Sequence, residues 1–357
     1  MALTWSDKFY RWDRTFSRQT GDDGEICLVV GGKNIGKTFG LRLQCVYDYF
    51  TRKVPFCEIC RTKAERDDIE NGYFDKLQKD GFYTDYQFKV EKHCAYVNIG
   101  TEDEADWQLI AYFVALSAFQ QEKKRTYSKP YRFIFDEAII DTKDRYHSYL
   151  RDEFLILANL LDTISRQQPG SDYRYKCYLL GNACDMTAPY FRYLGIERIP
   201  TFGYHWYNNR HTLLHYVEPW DAQERREKTL VGRMLSNTDE GRMMFDNVFE
   251  NTTGGEISKK PSNAKFAYAL VFNKARFAIW IDYKHGLFYV NEHIPKDKAK
   301  STYTLTKRDG CIDYGKLRRV DSLLEILKET YYIGGLRYSS AYVRESFHEL
   351  LGYLGVN

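Results

Sequence analysis

The sequence predicts an α/β fold in which a mainly parallel sheet carries a phosphate-binding loop, followed by a smaller α/β or α+β module. Three observations predict it. Ile26-Cys27-Leu28-Val29-Val30 is a continuous, apolar, β-branched run, as a strand buried on both faces requires. Gly31-Gly32-Lys33-Asn34-Ile35-Gly36-Lys37-Thr38 follows at once with the spacing G-x-x-x-x-G-K-T. Phe39, Leu41, Leu43, Val46, Tyr47 and Phe50 then recur at near-helical spacing. Strand, glycine loop and helix in this order bring converging backbone N–H groups onto a β-phosphate. Lys37 then reaches the β/γ oxygens, and Thr38 offers its hydroxyl to Mg²⁺.

A chain of 357 residues exceeds what one core usually serves, so two domains are expected. With 43% hydrophobic and 28% charged residues and only 8 prolines, the chain is a folded globular protein rather than a disordered one. The 52 basic residues nearly balance 49 acidic ones, so no global field draws the chain to nucleic acid, and any such contact must come from a local patch. Cysteines sit inside apolar runs without a disulfide framework, which reads as reduced, cytosolic thiols. No secretory segment opens the chain, and no apolar run approaches the roughly 20 residues that span a bilayer.

In chain order, residues 1–24 set Trp5, Phe9, Tyr10, Trp12 and Phe16 among charges, the pattern of an amphipathic lead-in helix beside the loop. Residues 54–60 read as the second strand, ending in Arg61-Thr62-Lys63. Its Cys57 and Cys60 face opposite ways on a strand and lack a second pair of ligands, which argues against zinc. Residues 64–80 form a charged amphipathic helix, 82–90 and 94–99 short strands, and 106–119 a more apolar segment. Lys123, Lys124, Arg125 and Lys129 make the densest basic cluster of the first half, a type of run that is most often a solvated loop.

Residues 131–135 are a short apolar strand closed by Asp136 and Glu137, the Walker B form. At the C-terminal end of a parallel strand, Asp136 lies beside the phosphate loop and holds a water of the Mg²⁺ shell, while Glu137 polarises the attacking water. Residues 152–165 are a Leu- and Ile-rich helix ended by Arg166. Residues 176–180 are another buried strand, whose tip sets Asn182 near a γ-phosphate as a sensor of hydrolysis. The expected first domain is 1–207. A linker over 208–235 contains His211, His215 and a helix, and the second domain covers 236–357. It starts with a loop at 251–255, continues with strands over 266–272, 277–283 and 287–290 in meander order, and ends in helices over 319–331 and 341–354.

The loop, Phe135-Asp136-Glu137, Leu160-Leu161-Asp162-Thr163, Gly181-Asn182-Ala183, Pro189-Tyr190-Phe191, Ile279-Trp280-Ile281-Asp282 and Gly286-Leu287-Phe288-Tyr289-Val290 together span nearly the whole chain. On these segments the sequence resembles the DNA encapsidation ATPases of small tailed bacteriophages. The resemblance implies an additional-strand, catalytic-glutamate P-loop ATPase domain joined by a small linker to a ribonuclease H-like C-terminal domain. It implies ATP and Mg²⁺ as cofactors. The implied activity is that of a motor in the host cytoplasm, without membrane attachment, which assembles as a homo-oligomeric ring on the portal of a procapsid. The ring pumps double-stranded DNA into that shell, in this subgroup often with a structural packaging RNA.

Carried over residue by residue, the resemblance gives Lys37 and Thr38 to the triphosphate and Mg²⁺, Asp136 to the metal and Glu137 to catalysis. Arg166 matches an arginine finger acting on the neighbouring subunit's nucleotide, where a cation stabilises transition-state charge. Arg61 and Lys63 match a basic pair that reaches phosphate across the interface. Lys123, Lys124, Arg125 and Lys129 face the pore as sequence-independent DNA contacts. Ribonuclease H-like nucleases need clustered acids for two metals, and residues 266–272 carry none, leaving Asp282 and Glu292. The tail therefore reads as a vestigial nuclease fold that contacts RNA, DNA or portal; the alternative is a terminase-like enzyme with an active metal-dependent nuclease.

Overall fold

A computed structural model describes residues 9–101, 104–140, 148–168, 174–184, 188–196, 201–220, 224, 228–235, 238, 245–246, 257–296, 301–306, 309 and 317–356. The chain divides into two compact units, Met1–Glu250 and Asn251–Asn357. The expected loop at 251–255 lies outside the described residues.

The first unit is built on strands β1 (Ile26–Val30), β2 (Phe56–Cys60), β3 (Gln87–Glu91), β4 (Cys94–Asn98), β5 (Trp107–Ala115), β6 (Arg132–Ile139), β7 (Lys176–Gly181), β8 (Gly203–Tyr207) and β9 (Thr212–Tyr216). They form one sheet in the order β3-β4-β5-β2-β6-β7-β1-β9-β8. The strands from β5 to β9 pair in parallel, and antiparallel partners close the two edges. Its helices are α1 (Trp12–Phe16), α2 (Lys37–Arg52), α3 (Lys63–Glu70), α4 (Asp75–Lys79), α5 (Phe119–Glu122), α6 (Glu153–Arg166), α7 (Pro189–Tyr193) and α8 (Leu230–Leu235).

Successive residues of β1 divide between two cores, which is why its sequence is apolar without alternation. Leu28 and Val30 pack with Leu157, Leu160 and Ile164 of α6 and with Phe191 of α7. Cys27 and Val29 pack on the other face with Leu41, Leu43 and Val46 of α2 and with Tyr10 and Trp12. Cys57 and Cys60 are buried free thiols within β2. The single helix expected over 64–80 is broken in two, because Gly72 turns through a left-handed conformation (φ +76°) and sends Tyr73 and Phe74 into the core.

The linker expected to begin at residue 208 does not begin there. Residues 203–216 form the hairpin β8–β9, turned at Asn208, Asn209 and Arg210, which all have positive φ. β9 then runs parallel to β1 in the register Ile26↔Thr212 to Val30↔Tyr216, with Leu213 and Leu214 fully buried. Burying this Thr-Leu-Leu run on the open side of β1 outweighs the polar composition around it.

The second unit is a five-stranded sheet of β10 (Lys265–Phe272), β11 (Ala275–Asp282), β12 (Leu287–Asn291), β13 (Thr302–Thr304) and β14 (Leu336–Tyr338), in the order β13-β10-β11-β12-β14. β10, β11 and β12 form the expected antiparallel meander, while β13 pairs in parallel with β10 and β14 with β12. The inward residues Leu270, Phe277, Ile279 and Val290 bury against Leu327 of α9 (Leu317–Tyr332) and Phe347 of α10 (Ala341–Tyr353). Among the described residues no helix is long and apolar enough to cross a membrane.

Candidate active site

The chain leaves β1 at Val30 and turns through Gly31–Thr38 into α2. A Cβ on Gly31 would stand 2.7 Å from Ile35 Cδ1 and 3.3 Å from Val217 Cβ, so a larger residue would fit only if the end of the Ile35 side chain moved. Gly36 (φ +83°) and Asn34 (φ +62°) supply the left-handed turns that bring the backbone onto the first turn of α2. The helix thus aims its N-terminal N–H groups and the positive end of its dipole into the cleft. Lys37 Nζ donates to Gly31 O at 2.9 Å, Gly32 O at 2.8 Å and Asn182 Oδ1 at 3.2 Å. The ammonium is held over the loop with Asn182 of the β7 tip beside it, so the lysine and the expected sensor converge.

Thr38 Oγ1 donates to Asp136 Oδ2 at 2.7 Å. A hydroxyl and a carboxylate oxygen in contact at the mouth of a phosphate loop are the hard donors that Mg²⁺ takes while keeping several waters, so these two residues fit that ion. The strand expected to stop at the two acids instead continues to Ile139, and it does so through a bulge. Phe135 pairs with Leu179 and Ile139 with Gly181, so two extra residues of β6 are pushed out of the ladder. Asp136 and Glu137 lie in that bulge. Glu137 is exposed with φ +52°, and its N–H donates to Asp136 Oδ1 at 3.0 Å. The bulge aims both acids out of the sheet into a cleft of about 470 Å³ lined by Lys33–Phe39, Asp136, Glu137 and Asn182.

Three contributors to this site carry no motif. Phe9 lies against Gly36, Tyr10 N–H donates to Ile35 O at 2.8 Å, and Trp12 Nε1 donates to Lys37 O at 2.8 Å. The lead-in segment therefore clamps the phosphate loop, with Trp12 fully buried. Beyond Phe9, on the β9 side of the loop, a second cleft of about 660 Å³ is lined by aromatic residues including Phe202, Tyr204 and Trp220 and by Arg11 and Arg14. In it Tyr204 stacks on His215 at 3.7 Å, and the Tyr10 hydroxyl meets His215 Nδ1 at 2.7 Å. Burial pushes the His215 pKa down to about 3, so this imidazole is neutral at physiological pH.

Other expected site residues lie apart. Arg61 does not project across an interface; it is 3% exposed and bonded to Glu153 at 2.8 Å. Lys63 is exposed at the start of α3. Arg166 is exposed and paired with Asp162 at 2.9 Å, at the far end of a helix about 21 Å long whose first residue bonds Arg61 near Glu137. It is not among the residues that line its own phosphate-loop cleft. Of the basic cluster, Lys123, Lys124 and Lys129 are exposed, whereas Arg125 turns inward. Its guanidinium donates to His93 O at 2.8 Å and lies over the Tyr112 ring, so it serves packing rather than a pore. Lys129 N–H donates to Gln168, two residues past Arg166, so the basic loop and the end of α6 share one end of the sheet.

In the second unit, the Asp282 carboxylate accepts from His285 Nδ1 at 2.6 Å, Lys284 N at 3.0 Å and Asn263 Nδ2 at 3.2 Å. His285 holds it below the usual carboxylate range. Two of these bonds tie its oxygens into the β11–β12 turn, and the third comes from Asn263 ahead of β10. Among the described residues three metal-capable side chains converge at Asp67, Glu70 and His93 of the first unit, where Arg66 pairs with Asp67 at 2.9 Å and with Glu70 at 3.6 Å.

A family model for the podovirus DNA encapsidation protein (Gp16) matches residues 8–356. The DNA packaging protein of Bacillus phage B103 is 28% identical over 339 residues, covering 92% of this chain and 97% of that one. The DNA packaging protein of Bacillus phage phi29 is 26% identical over 338 residues, covering 92% and 93%. Among solved structures, the bacteriophage Phi-29 viral genome packaging motor assembly aligns with a TM-score of 0.69 at 25% identity, over 97% of this chain and 99% of that one. The Phi-28 gp11 DNA packaging motor aligns with a TM-score of 0.62 at 20% identity, over 97% and 98%. With a family match that runs almost from end to end over a complete phosphate loop and its paired acids, the chain belongs to the podovirus DNA encapsidation protein (Gp16) family.

Proposed function

We propose that this phage DNA packaging ATPase hydrolyses ATP in the cleft between the Gly31–Thr38 loop and the β6 bulge, and spends the energy on driving double-stranded DNA into a procapsid. The observation that carries the reading is the contact of Thr38 with Asp136 directly beside the outward-turned Glu137. Lys37 and the loop N–H groups bind the β- and γ-phosphates, and Thr38 and Asp136 hold Mg²⁺, which when bound neutralises charge on the phosphate oxygens. Glu137 accepts the proton of the attacking water, and Asn182 senses the γ-phosphate through Lys37. The acids and Asn182 sit on the β6 and β7 side of the loop, so the nucleoside lies on the opposite side, in the aromatic cleft beside β9.

Arg166, exposed at the end of α6, serves the neighbouring subunit's nucleotide in a homo-oligomeric ring, with Lys63 as a further contact across that interface. Lys123, Lys124 and Lys129 grip the DNA backbone without reading sequence. The second unit is a ribonuclease H-like module without nuclease activity that meets portal or packaging RNA; support comes from its antiparallel meander and from the engagement of Asp282 in a turn. A packaging assay with procapsids tests the function. DNase-protected DNA accumulates with ATP and Mg²⁺ and is lost with Lys37→Ala; protection that survives that substitution refutes the reading.

A further inference from the structure

We propose that Arg61 is a positioning residue for hydrolysis: from inside the protein it holds the backbone that presents Glu137 and ties that backbone to α6. Nothing in the loop or acid motifs assigns it this role. Its Nε donates to Glu153 Oε2 at 2.8 Å and its Nη2 to Glu153 Oε1 at 3.0 Å, a bidentate pair. The same Nη2 donates to Glu137 O at 3.1 Å and Ala138 O at 3.4 Å. Glu153 is fixed in turn by the Tyr190 hydroxyl at 2.6 Å and by Leu150 N at 2.9 Å. The guanidinium plane lies over the rings of Phe135 and Tyr149, and the Tyr149 hydroxyl accepts from Ile140 N at 3.0 Å.

The bulge explains why such a clamp is needed. Between Phe135 and Ile139, β6 leaves the ladder with β7, so carbonyls in that stretch need other donors. Glu137 also occupies the left-handed region, where an L side chain persists only if its surroundings over-determine it. Arg61 supplies both requirements, because a planar fork can serve a carboxylate and two carbonyls together, which a lysine ammonium cannot do in the same geometry. A buried ion pair gives little net stability over an apolar pair of similar volume, which points to placement rather than stability as its use. The tie also has a mechanical consequence. α6 carries Glu153 at one end and Arg166 at the other, so a displacement of the Arg166 end is passed through Glu153 and Arg61 to the Glu137 backbone.

The inference rests on Glu137 being the catalytic carboxylate, and the test separates the two claims. In the full-length protein, Arg61→Ala and Arg61→Lys are expected to lower kcat about a hundredfold while nucleotide affinity and KM stay within about threefold. Added to Glu137→Gln, Arg61→Ala lowers kcat no further, because the two act as one unit. Wild-type kcat in a folded Arg61 variant, a loss that falls on affinity alone, or a full additional loss in the Glu137→Gln background would each overturn the inference. If Glu137→Gln alone leaves hydrolysis intact, the catalytic assignment beneath it fails instead. Should Arg61→Ala not fold, Tyr190→Phe removes only one hydrogen bond from the clamp and is expected to reduce kcat about tenfold with affinity kept; an unchanged kcat there overturns the positioning role.

Discussion

Replacing Gly181 by alanine would test how the bulge is held. Gly181 ends β7 opposite Ile139, and a Cβ on it would lie 2.7 Å from Ile139 Cβ and 3.0 Å from Cγ1 and Cδ1. Ordinary contact begins at 3.4 Å, so the strands must part by about 0.7 Å (3.4 minus 2.7). Ile139 Cβ is anchored to the main chain and the residue is buried, so no side-chain rotation removes the overlap. Nor can the β7 tip yield freely, because Gly181 O accepts from Gly31 N at 3.1 Å and retreat would drag the phosphate loop. The displacement therefore passes into Ile139 and the bulge behind it. Overpacking of this kind costs about 1–3 kcal/mol of stability, and a shift of this size at Glu137, the proposed catalytic carboxylate, costs about a hundredfold in rate. Denaturant unfolding and steady-state ATPase kinetics read the two effects, with nucleotide affinity expected to change little. Wild-type kcat together with an unchanged unfolding midpoint would refute the geometry.

Further predictions concern the flanks of the site. Trp220→Ala is expected to weaken ATP binding about tenfold, the value of one lost base–aromatic stack, while leaving kcat near wild type; unchanged affinity would move the nucleoside out of the β9 cleft. Because burial lowers the His215 pKa to about 3, the unfolded chain binds this proton first. Stability from this residue is therefore complete above about pH 6.5 and declines as pH falls toward 3, by up to about 1.4 kcal/mol per unit. His215→Gln should flatten that part of the curve, and identical pH profiles of wild type and variant would contradict it. Arg166→Ala and Lys37→Ala subunits, each inactive alone, should regain partial ATPase activity when mixed, since one supplies an intact phosphate loop and the other an intact arginine; strict inactivity of the mixture rules out action across the interface.

What could be read in the sequence was local. Gly31–Thr38 carries its whole chemistry in eight consecutive residues, and the apolar strands before it and before Asp136 are short uninterrupted runs. The bulge escaped because Ala138-Ile139-Ile140 after the acids looks like the start of another element, and only the register with β7 shows it to be the same strand. β9 escaped because its five residues sit among histidines and asparagines and find their partner, β1, some 186 positions earlier (212 minus 26). Arg61 had the residue type and place of a phosphate contact, yet its partner Glu153 is 92 residues away and leaves no trace near it. Arg125 misled in the same way, since a basic run does not reveal which of its members will find carbonyls indoors. Buried polar networks and strand neighbours are products of tertiary closure, whereas loops that bind phosphate are written in adjacent residues.

In the proposed mechanism Glu137, lifted by the bulge beside Asp136, activates water at a nucleotide held by Gly31–Thr38. Glu137→Gln tests it most directly, because the amide keeps the size of the side chain and removes its basicity. Measured on one protein preparation, ATP affinity should remain within about threefold of wild type while hydrolysis falls by at least about a hundredfold. Hydrolysis at the wild-type rate with binding intact would remove Glu137 from that role.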